Sequence, residues 1–418
     1  MKNNQENFDV AVIGAGSAGL MAALWAAQKG ARVAVIEKND RAGRKLLLSG
    51  GGRCNLTQAR SDNREFAKKL GKNGEWLLSA LSIFGPKETR KFFESRGLKT
   101  KKESNGRIFP ISDRAQEVLD LLLKDLKEKK VKIFFGEKVS GFNVSGDKIS
   151  SVKSGDRKIA AKSFILCAGG KSYSVTGSIG DGYIWAKDMG HKIIHPVPAL
   201  VPIETQGSWP KELQGLSLKG VQLNILQNGK KEDSYSGEML FTHFGLSGPI
   251  VLNASKKVGE LLAKGEVLLE IDLAPNLSAD QLDKKLRRDF AARGDMNFKT
   301  YLATFMPQRM AEKVAKFCGV SLDEKLGSIT REGRKKTAAA LKSLRTGVRG
   351  LMGFDQAIMT SGGVDLKEID SRTMKSKIIE NLFFAGEIID LDGPTGGYNL
   401  QICWTTGYIA GSNATGGI

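Results

Sequence analysis

The hydropathy pattern is sharpest at the start of the chain. Phe8 to Ile13 is an apolar, β-branched run broken only by Asp9, the pattern of a strand buried in a parallel sheet. Ala18 to Gln28 is rich in small apolar residues, reads as a helix and stops at Gly30. A second strand, Arg32 to Ile36, ends at Glu37, and Val131 to Phe135 is a further candidate. From Pro196 to Leu273 apolar and polar residues alternate, as in VQLNILQN and EVLLEID, which predicts a β-rich segment. Pro275 to Leu344 is mostly helical in pattern; SADQLDKKLRRDFAARG has a Ser/Asp start and a Gly stop. No internal repeat or low-complexity tract interrupts this order.

Between the first strand and the helix lie Gly14, Gly16 and Gly19, spaced G-x-G-x-x-G. In dinucleotide binding Gly14 allows the tight turn, Gly16 lets backbone approach a pyrophosphate, and Gly19 lets helix and strand pack closely. The helix N-terminus offers N–H groups and partial positive charge to phosphates. Glu37 can accept hydrogen bonds from a ribose diol. A lone glycine motif is weak; with both strands, the helix and the acid in place, dinucleotide binding is the leading expectation over a ligand-free tight turn. Val10 to Gln28 also imitates a membrane span in length and lack of charge. Only Lys2 precedes it, however, and the glycines interrupt it at fixed spacing, so a cytoplasmic protein without membrane attachment is expected.

Composition narrows the classes. At 418 residues, 41% hydrophobic and 26% charged, the chain is long enough for a sizeable core and is not a disordered protein. Cys54, Cys167, Cys318 and Cys403 stand singly, which argues against a disulfide scaffold, a zinc ribbon or a thioredoxin-type site. With only His191, His195 and His243, no metal site is expected.

The stretch Arg41 to Asn55, RAGRKLLLSGGGRCN, sets Arg44, Lys45 and Arg53 around a triple glycine, Gly50 to Gly52. Such backbone can pass close to a flat ring or a phosphate, although a flexible surface loop has the same composition. LLLSGGGRCN resembles the hallmark of the BaiN/RdsA-type flavoproteins, bacterial NAD(P)H/FAD-dependent oxidoreductases. Further matches are SFILCAGG (Ser163 to Gly170), VTGSIGDGY (Val175 to Tyr183), GEMLFTHFGLSGP (Gly237 to Pro249) and NLFFAGEIIDLDGPTGGYNLQ (Asn381 to Gln401). They span nearly the whole chain in family order.

The resemblance implies an α/β fold: a discontinuous Rossmann-like FAD-binding domain with an inserted β-rich plus helical domain. The expected parts are residues 1–190 and 355–418 for FAD, and 191–354 for the insert (β-rich 191–275, helical 276–354). It implies FAD as cofactor. Gly14, Ala15, Gly16, Ala18 and Gly19 would hold the pyrophosphate, and Glu37 the adenosine ribose, with Lys38 alongside. Arg44, Lys45, Ser49, Gly50, Gly51, Arg53, Cys54 and Asn55 would run near the flavin. Val139 would meet adenine through backbone, and Ala168 and Gly169 would border the ADP half. Gly386, Glu387, Gly397, Asn399 and Leu400 would close over the ribityl chain and isoalloxazine. Cys167 and Cys403 depart from commoner family residues and carry no assigned chemistry. No second G-x-G-x-x-G occurs in mid-chain, so NAD(P)H is expected as a transient electron donor in a ping-pong scheme.

The net charge of +19 needs its own explanation. Arg41 to Lys130 holds twenty-two Lys/Arg against eleven Asp/Glu, and Asn276 to Gly350 holds seventeen against eight. These two segments account for the whole excess. KKLRR (Lys284 to Arg288), REGRKK (Arg331 to Lys336) and the group Lys99, Lys101, Lys102 and Arg107 are the densest clusters. Solvated helix faces would explain any one of them; together they favour a polyanionic partner.

Relatives of this kind are linked to reduction of a uridine in large-subunit ribosomal RNA, and also to bile-acid or aminoketone chemistry. The charge map favours RNA, so the leading expectation is an FAD-dependent ribosomal RNA dihydrouridine synthase. Neutralising Lys284, Lys285, Arg287 and Arg288 should then weaken RNA binding. Hydride would add to one carbon of the uracil C5–C6 double bond and a proton to the other. Cys54 is the candidate proton donor and His243 its rival, each with a packing role as alternative. A small-molecule flavin reductase or oxidase is the second reading, and a flavin-containing RNA-binding or redox-sensing protein without turnover the third.

Overall fold

The computed structural model describes residues 5–59, 62–103 and 105–416. The chain divides into two compact units, Met1–Pro198 with Ala357–Ile418, and Ala199–Gln356.

The first unit is built on a parallel sheet. β1 (Gln5–Ile13) and β2 (Val33–Ile36) run side by side, Val10 opposite Val33 and Ile13 opposite Ile36, joined through α1 (Ser17–Gln28). The short helix α2 (Arg44–Leu48) and then α3 (Pro86–Glu94) follow. A separate hairpin, β3 (Thr100–Lys102) and β4 (Arg107–Pro110), leads into α4 (Ala115–Glu128). β5 (Lys132–Phe134) then extends the sheet beyond β2. β6 (Val139–Ser145), β7 (Lys148–Ser154) and β8 (Arg157–Leu166) form an antiparallel meander, and β8 lies parallel to β1 on the side away from β2. β8 is long enough to be paired twice on its far edge. Arg157 to Ala160 bond β7, and Phe164 to Leu166 bond the returning strand Leu382–Phe384.

Val10 to Val12 and all four residues of β2 are buried, because helices cover both faces of a parallel sheet. α1 is apolar nearly all round for the same reason. It crosses the C-terminal helix Tyr398–Asn413 at backbone contact: a Cβ on Gly407 would stand 2.5 Å from the Ala18 carbonyl oxygen, and one on Gly411 2.2 Å from that of Ala22. Residues four apart share a helix face, so Ala18 and Ala22 meet Gly407 and Gly411 as one small-residue seam. The membrane-like stretch is thus the end of a strand, a glycine turn and a core helix. Among the described residues no helix is long and apolar enough to cross a membrane.

The second unit is a closed antiparallel barrel with helices. Its strands are β9 (Ile203–Thr205), β10 (Ser217–Gln227), β11 (Lys230–Phe241), β12 (Gly245–Ser247), β13 (Leu268–Asp272) and β14 (Leu344–Leu351). They follow the order β9-β12-β11-β10-β13-β14, and β14 pairs with β9 to close the ring. Leu223, Ile225, Phe241, Leu246, Leu269 and Ile271 belong to its core. α5 (Pro249–Leu262), α6 (Ala279–Ala292), α7 (Gln308–Cys318) and α8 (Arg331–Lys342) complete it.

Two segments differ from their pattern reading. α5 falls inside the stretch expected to be β-rich, 191–275, where the apolar spacing of PIVLNASKKVGELL gives a buried helical stripe. The stretch expected to be helical, 276–354, ends instead in β14. There Leu344, Thr346 and Val348 point inward while Arg345 and Arg349 stay exposed, a period of two that closes the barrel.

Candidate functional site

The glycine turn after β1 is shaped by three different demands. Gly14 has φ +103°, and a Cβ there would meet the Cys167 carbonyl oxygen at 2.5 Å. Gly19 has no room at all, its added Cβ falling 1.9 Å from the Gly14 carbonyl oxygen. Gly16 is the opposite case: nothing lies within 4 Å of a Cβ built on it. Gly16 also caps α1, whose first turn has neither a side-chain cap nor an acidic residue. Open space beside the positive end of an uncapped helix fits an anionic pyrophosphate.

Glu37 is buried at the end of β2. Its carboxylate accepts the Ala15 N–H at 2.7 Å and, on the other oxygen, the Asn39 N–H at 2.8 Å. Acid and glycine turn are therefore one unit. Arg44 donates to Asn39 Oδ1 at 2.9 Å, and Lys38 pairs with Asp181 at 2.7 Å. The Glu137 N–H donates to the Glu37 carbonyl, which brings the start of β6, with buried Val139, to the same edge. Ala168 lies beside Gly14, followed by Gly169 at φ +74°. A Cβ on Gly386 would stand 2.7 Å from that of Ala18.

A buried polar network joins four distant segments. Lys45 Nζ stands 2.5 Å from Glu387 Oε2 and 2.5 Å from Ser172 Oγ, and Ser172 Oγ donates to Glu387 Oε1 at 2.5 Å. The Thr360 N–H donates to the same carboxylate at 2.8 Å, while Thr360 Oγ1 accepts the Lys171 N–H. Glu387 is only 7% exposed. Burial, then the Glu387 charge, pushes the neighbouring Tyr183 phenol up, and burial pushes the Cys403 thiol up to about 12. Lys45 and Glu387 were expected from sequence. Ser172 and Thr360 were not: Ser172 lies two residues past the SFILCAGG block, and Thr360 sits in a short buried strand, MTSGGV, without a motif.

The glycine-rich loop is left-handed at Gly50, Gly51, Gly52 and Cys54, with φ between 60° and 85°. It is anchored on both sides. The Cys54 N–H returns to the Ser49 carbonyl, and the Ala115 N–H reaches the Gly52 carbonyl. The Arg53 guanidinium lies 4.0 Å from the Phe109 ring centroid and pairs with Glu103 and Asp113. Cys54 has no exposed surface; burial pushes its thiol up to about 12, and the Ser49 side chain is its hydrogen-bond partner. Asn55 is buried beside Gly397, the N-cap of the C-terminal helix. Two residues on, Asn399 clamps the preceding loop through both the N–H and the carbonyl of Gly393 at 2.8 Å, and Leu400 is partly buried.

His243 belongs to the second unit. It is exposed in the turn between β11 and β12, with its ring against Phe244. Among the described residues no group of three or more His, Cys, Asp or Glu is placed to hold a metal.

Comparison with known proteins agrees along the full length. A family model described as HI0933-like protein Rossmann domain matches residues 8–413. A 3-dehydro-bile acid delta(4,6)-reductase of Clostridium scindens is 31% identical over 97% of this chain and 98% of its own. A ribosomal RNA dihydrouridine synthase of Escherichia coli is 29% identical over 96% of this chain and 97% of its own. Among solved structures, a 3-ketosteroid-delta4-(5alpha)-dehydrogenase from Rhodococcus jostii shares the fold with a TM-score of 0.56 at 14% identity, covering 98% of this chain and 97% of that one. A flavocytochrome c3 fumarate reductase does so with a TM-score of 0.53 at 19% identity, covering 98% and 78%.

Proposed function

This chain belongs to the HI0933-like Rossmann family, and from that membership we propose that it is an FAD-dependent oxidoreductase reducing a uridine of large-subunit ribosomal RNA to dihydrouridine with electrons from NAD(P)H. FAD, when bound, would supply the two-electron chemistry. Gly14 to Gly19 and the start of α1 would hold its pyrophosphate, Glu37 its ribose, and the backbone at Val139 its adenine. Lys45, the Ser49–Asn55 loop, Gly386, Glu387, Gly397, Asn399 and Leu400 would surround the flavin end. The observation that favours RNA over a metabolite is the net charge of +19, since clustered cations bind phosphate backbones with little sequence preference. A bile-acid reductase at 31% identity supports the second reading, reduction of a small apolar metabolite.

Ribosomal RNA from cells lacking the gene should contain one dihydrouridine fewer by nucleoside mass spectrometry. The purified protein with NAD(P)H should restore it. An unchanged nucleoside profile would leave the metabolite reading in its place.

For the proton that accompanies hydride addition, the Cys54 thiol is the proposed donor. At about 12 it is protonated at neutral pH, and the half-buried Ser49 hydroxyl beside it is the proposed relay to solvent. Cys54→Ala and Ser49→Ala should each retain FAD and slow turnover by about 100-fold, the lower range for general acid catalysis. The double variant should be no slower than the slower single. Turnover unchanged in Cys54→Ala would remove the thiol from the mechanism and turn attention to His243.

A further inference from the structure

The cations that make the chain basic are not equally available. In the helical part of the second unit many are committed to neighbours. Lys285 and Arg288 approach Asp289, Arg334 pairs with Asp283, Lys336 with Glu332, and Lys342 with Asp272. Arg345 and Arg349 pair with Glu270 and Glu204. A polyanion would have to compete with those carboxylates.

α3, in the first unit, is different. Lys87, Arg90 and Lys91 fall on one helical face at i, i+3 and i+4. With Glu94 and Ser95 they line a shallow cleft of about 340 Å³. The one carboxylate there is occupied by Arg90 at 2.8 Å and Thr100 Oγ1 at 2.5 Å. Arg90 Nε also donates to Thr100 Oγ1 at 3.1 Å, which docks β3 against the helix. Alternate residues of a strand share a face, so Lys102 lies on the face that Thr100 turns toward α3. Lys87, Lys91 and Lys102 are exposed and make no ion pair among the described residues.

The buried face of the same helix leads to the candidate site. Thr89 Oγ1 accepts from Gln401 Nε2 at 2.8 Å, and Gln401 Oε1 accepts from Thr57 Oγ1 at 2.6 Å. Gln401 follows Asn399 and Leu400 in the C-terminal helix, and Thr57 backbone packs against Gly397. One short helix therefore carries unpaired cations outside and hydrogen-bonds the flavin end inside.

We propose that the cationic face formed by α3 and β3 is the docking surface for the phosphodiester backbone of the RNA substrate, so that the first unit itself grips the nucleic acid. The inference rests on the RNA reading above. Exposed cations without carboxylate partners are free to neutralise phosphates, and release of the counterions condensed on the RNA drives binding. The Lys284–Arg288 cluster is then secondary, because two of its four cations already face Asp289.

The test uses full-length holoprotein and a fluorescein-labelled single-stranded fragment of large-subunit ribosomal RNA, with Kd read by anisotropy across a salt series. Lys87→Gln/Lys91→Gln/Lys102→Gln should raise Kd about tenfold or more and lower the log–log salt slope by about 2, each single-strand phosphate contact contributing about 0.7. Lys284→Gln/Arg287→Gln/Lys335→Gln removes the same charge from unpaired positions of the second unit and should change Kd less. Unaltered FAD content and unfolding midpoint would show both variants folded. Wild-type affinity in the α3/β3 variant, or an equal loss in the other, would overturn the surface while leaving the RNA reading intact. Displacement of the RNA by polyglutamate at equal charge would overturn it in favour of an acidic polypeptide. A wild-type protein that fails to bind the RNA at any salt would overturn the RNA reading, and this inference with it.

Discussion

Glu387→Ala is expected to release the flavin and to destabilise the first unit by about 3–5 kcal/mol, the range for removing one partner of a buried ion pair. The carboxylate is the hub of its network: Lys45 Nζ, Ser172 Oγ and the Thr360 N–H all point at it. Its loss leaves the Lys45 ammonium against a lone hydroxyl and strands the Thr360 N–H indoors. Both costs fall on the folded state, because the unfolded chain hydrates each group. Glu387→Gln should lie between Ala and wild type, since the amide oxygen still accepts hydrogen bonds but carries no charge. Urea unfolding gives the stability difference, and flavin absorbance retained through gel filtration gives the binding. An alanine variant that keeps its FAD and unfolds within about 1 kcal/mol of wild type would show the network to be dispensable.

The second large effect separates ligand from fold within one turn. Gly16 has φ −79° and ψ −176°, a conformation open to any residue, and its Cβ direction is empty. Gly16→Ala should therefore change the stability of the ligand-free protein by no more than about 0.5 kcal/mol. The same methyl group would occupy the space assigned to the pyrophosphate, and FAD affinity should fall tenfold or more, about 1.4 kcal/mol. Gly19→Val should fail differently. Its Cβ would overlap the Gly14 carbonyl oxygen, so the turn itself must open, at about 3 kcal/mol or more. Thermal melts with and without FAD distinguish the two. Undiminished FAD affinity in Gly16→Ala would move the pyrophosphate elsewhere.

These contrasts show what sequence could and could not reveal. β1, the glycine turn, α1, β2 and Glu37 were legible because their determinants are local: a buried strand, three glycines and an acid within one supersecondary unit. The polar network was half legible. Lys45 and Glu387 sit in recognisable blocks, but Ser172 and Thr360 acquire meaning only when β8, the strand Met359–Val364 and the Glu387 loop converge. Barrel closure was hidden for a related reason. Alternation marks β14 as a strand only weakly against the basic helices before it, and nothing in Leu344–Leu351 specifies pairing with β9, over a hundred residues upstream. Charge misled in its own way: the densest basic run, KKLRR, is partly neutralised by Asp289, whereas the sparser Lys87, Lys91 and Lys102 make no ion pair among the described residues.

The seam of Ala18, Ala22, Gly407 and Gly411 has a consequence for biosynthesis. α1 is synthesised long before its partner, and one of its apolar faces is covered by a helix made almost four hundred residues later. Until then the nascent first unit carries a helix with one apolar face uncovered, and domains ordinarily form as synthesis proceeds. α1 must therefore wait for the helix Tyr398–Asn413, which makes the arrival of that helix, rather than formation of β1 and β2, the event that seals the core of the first unit.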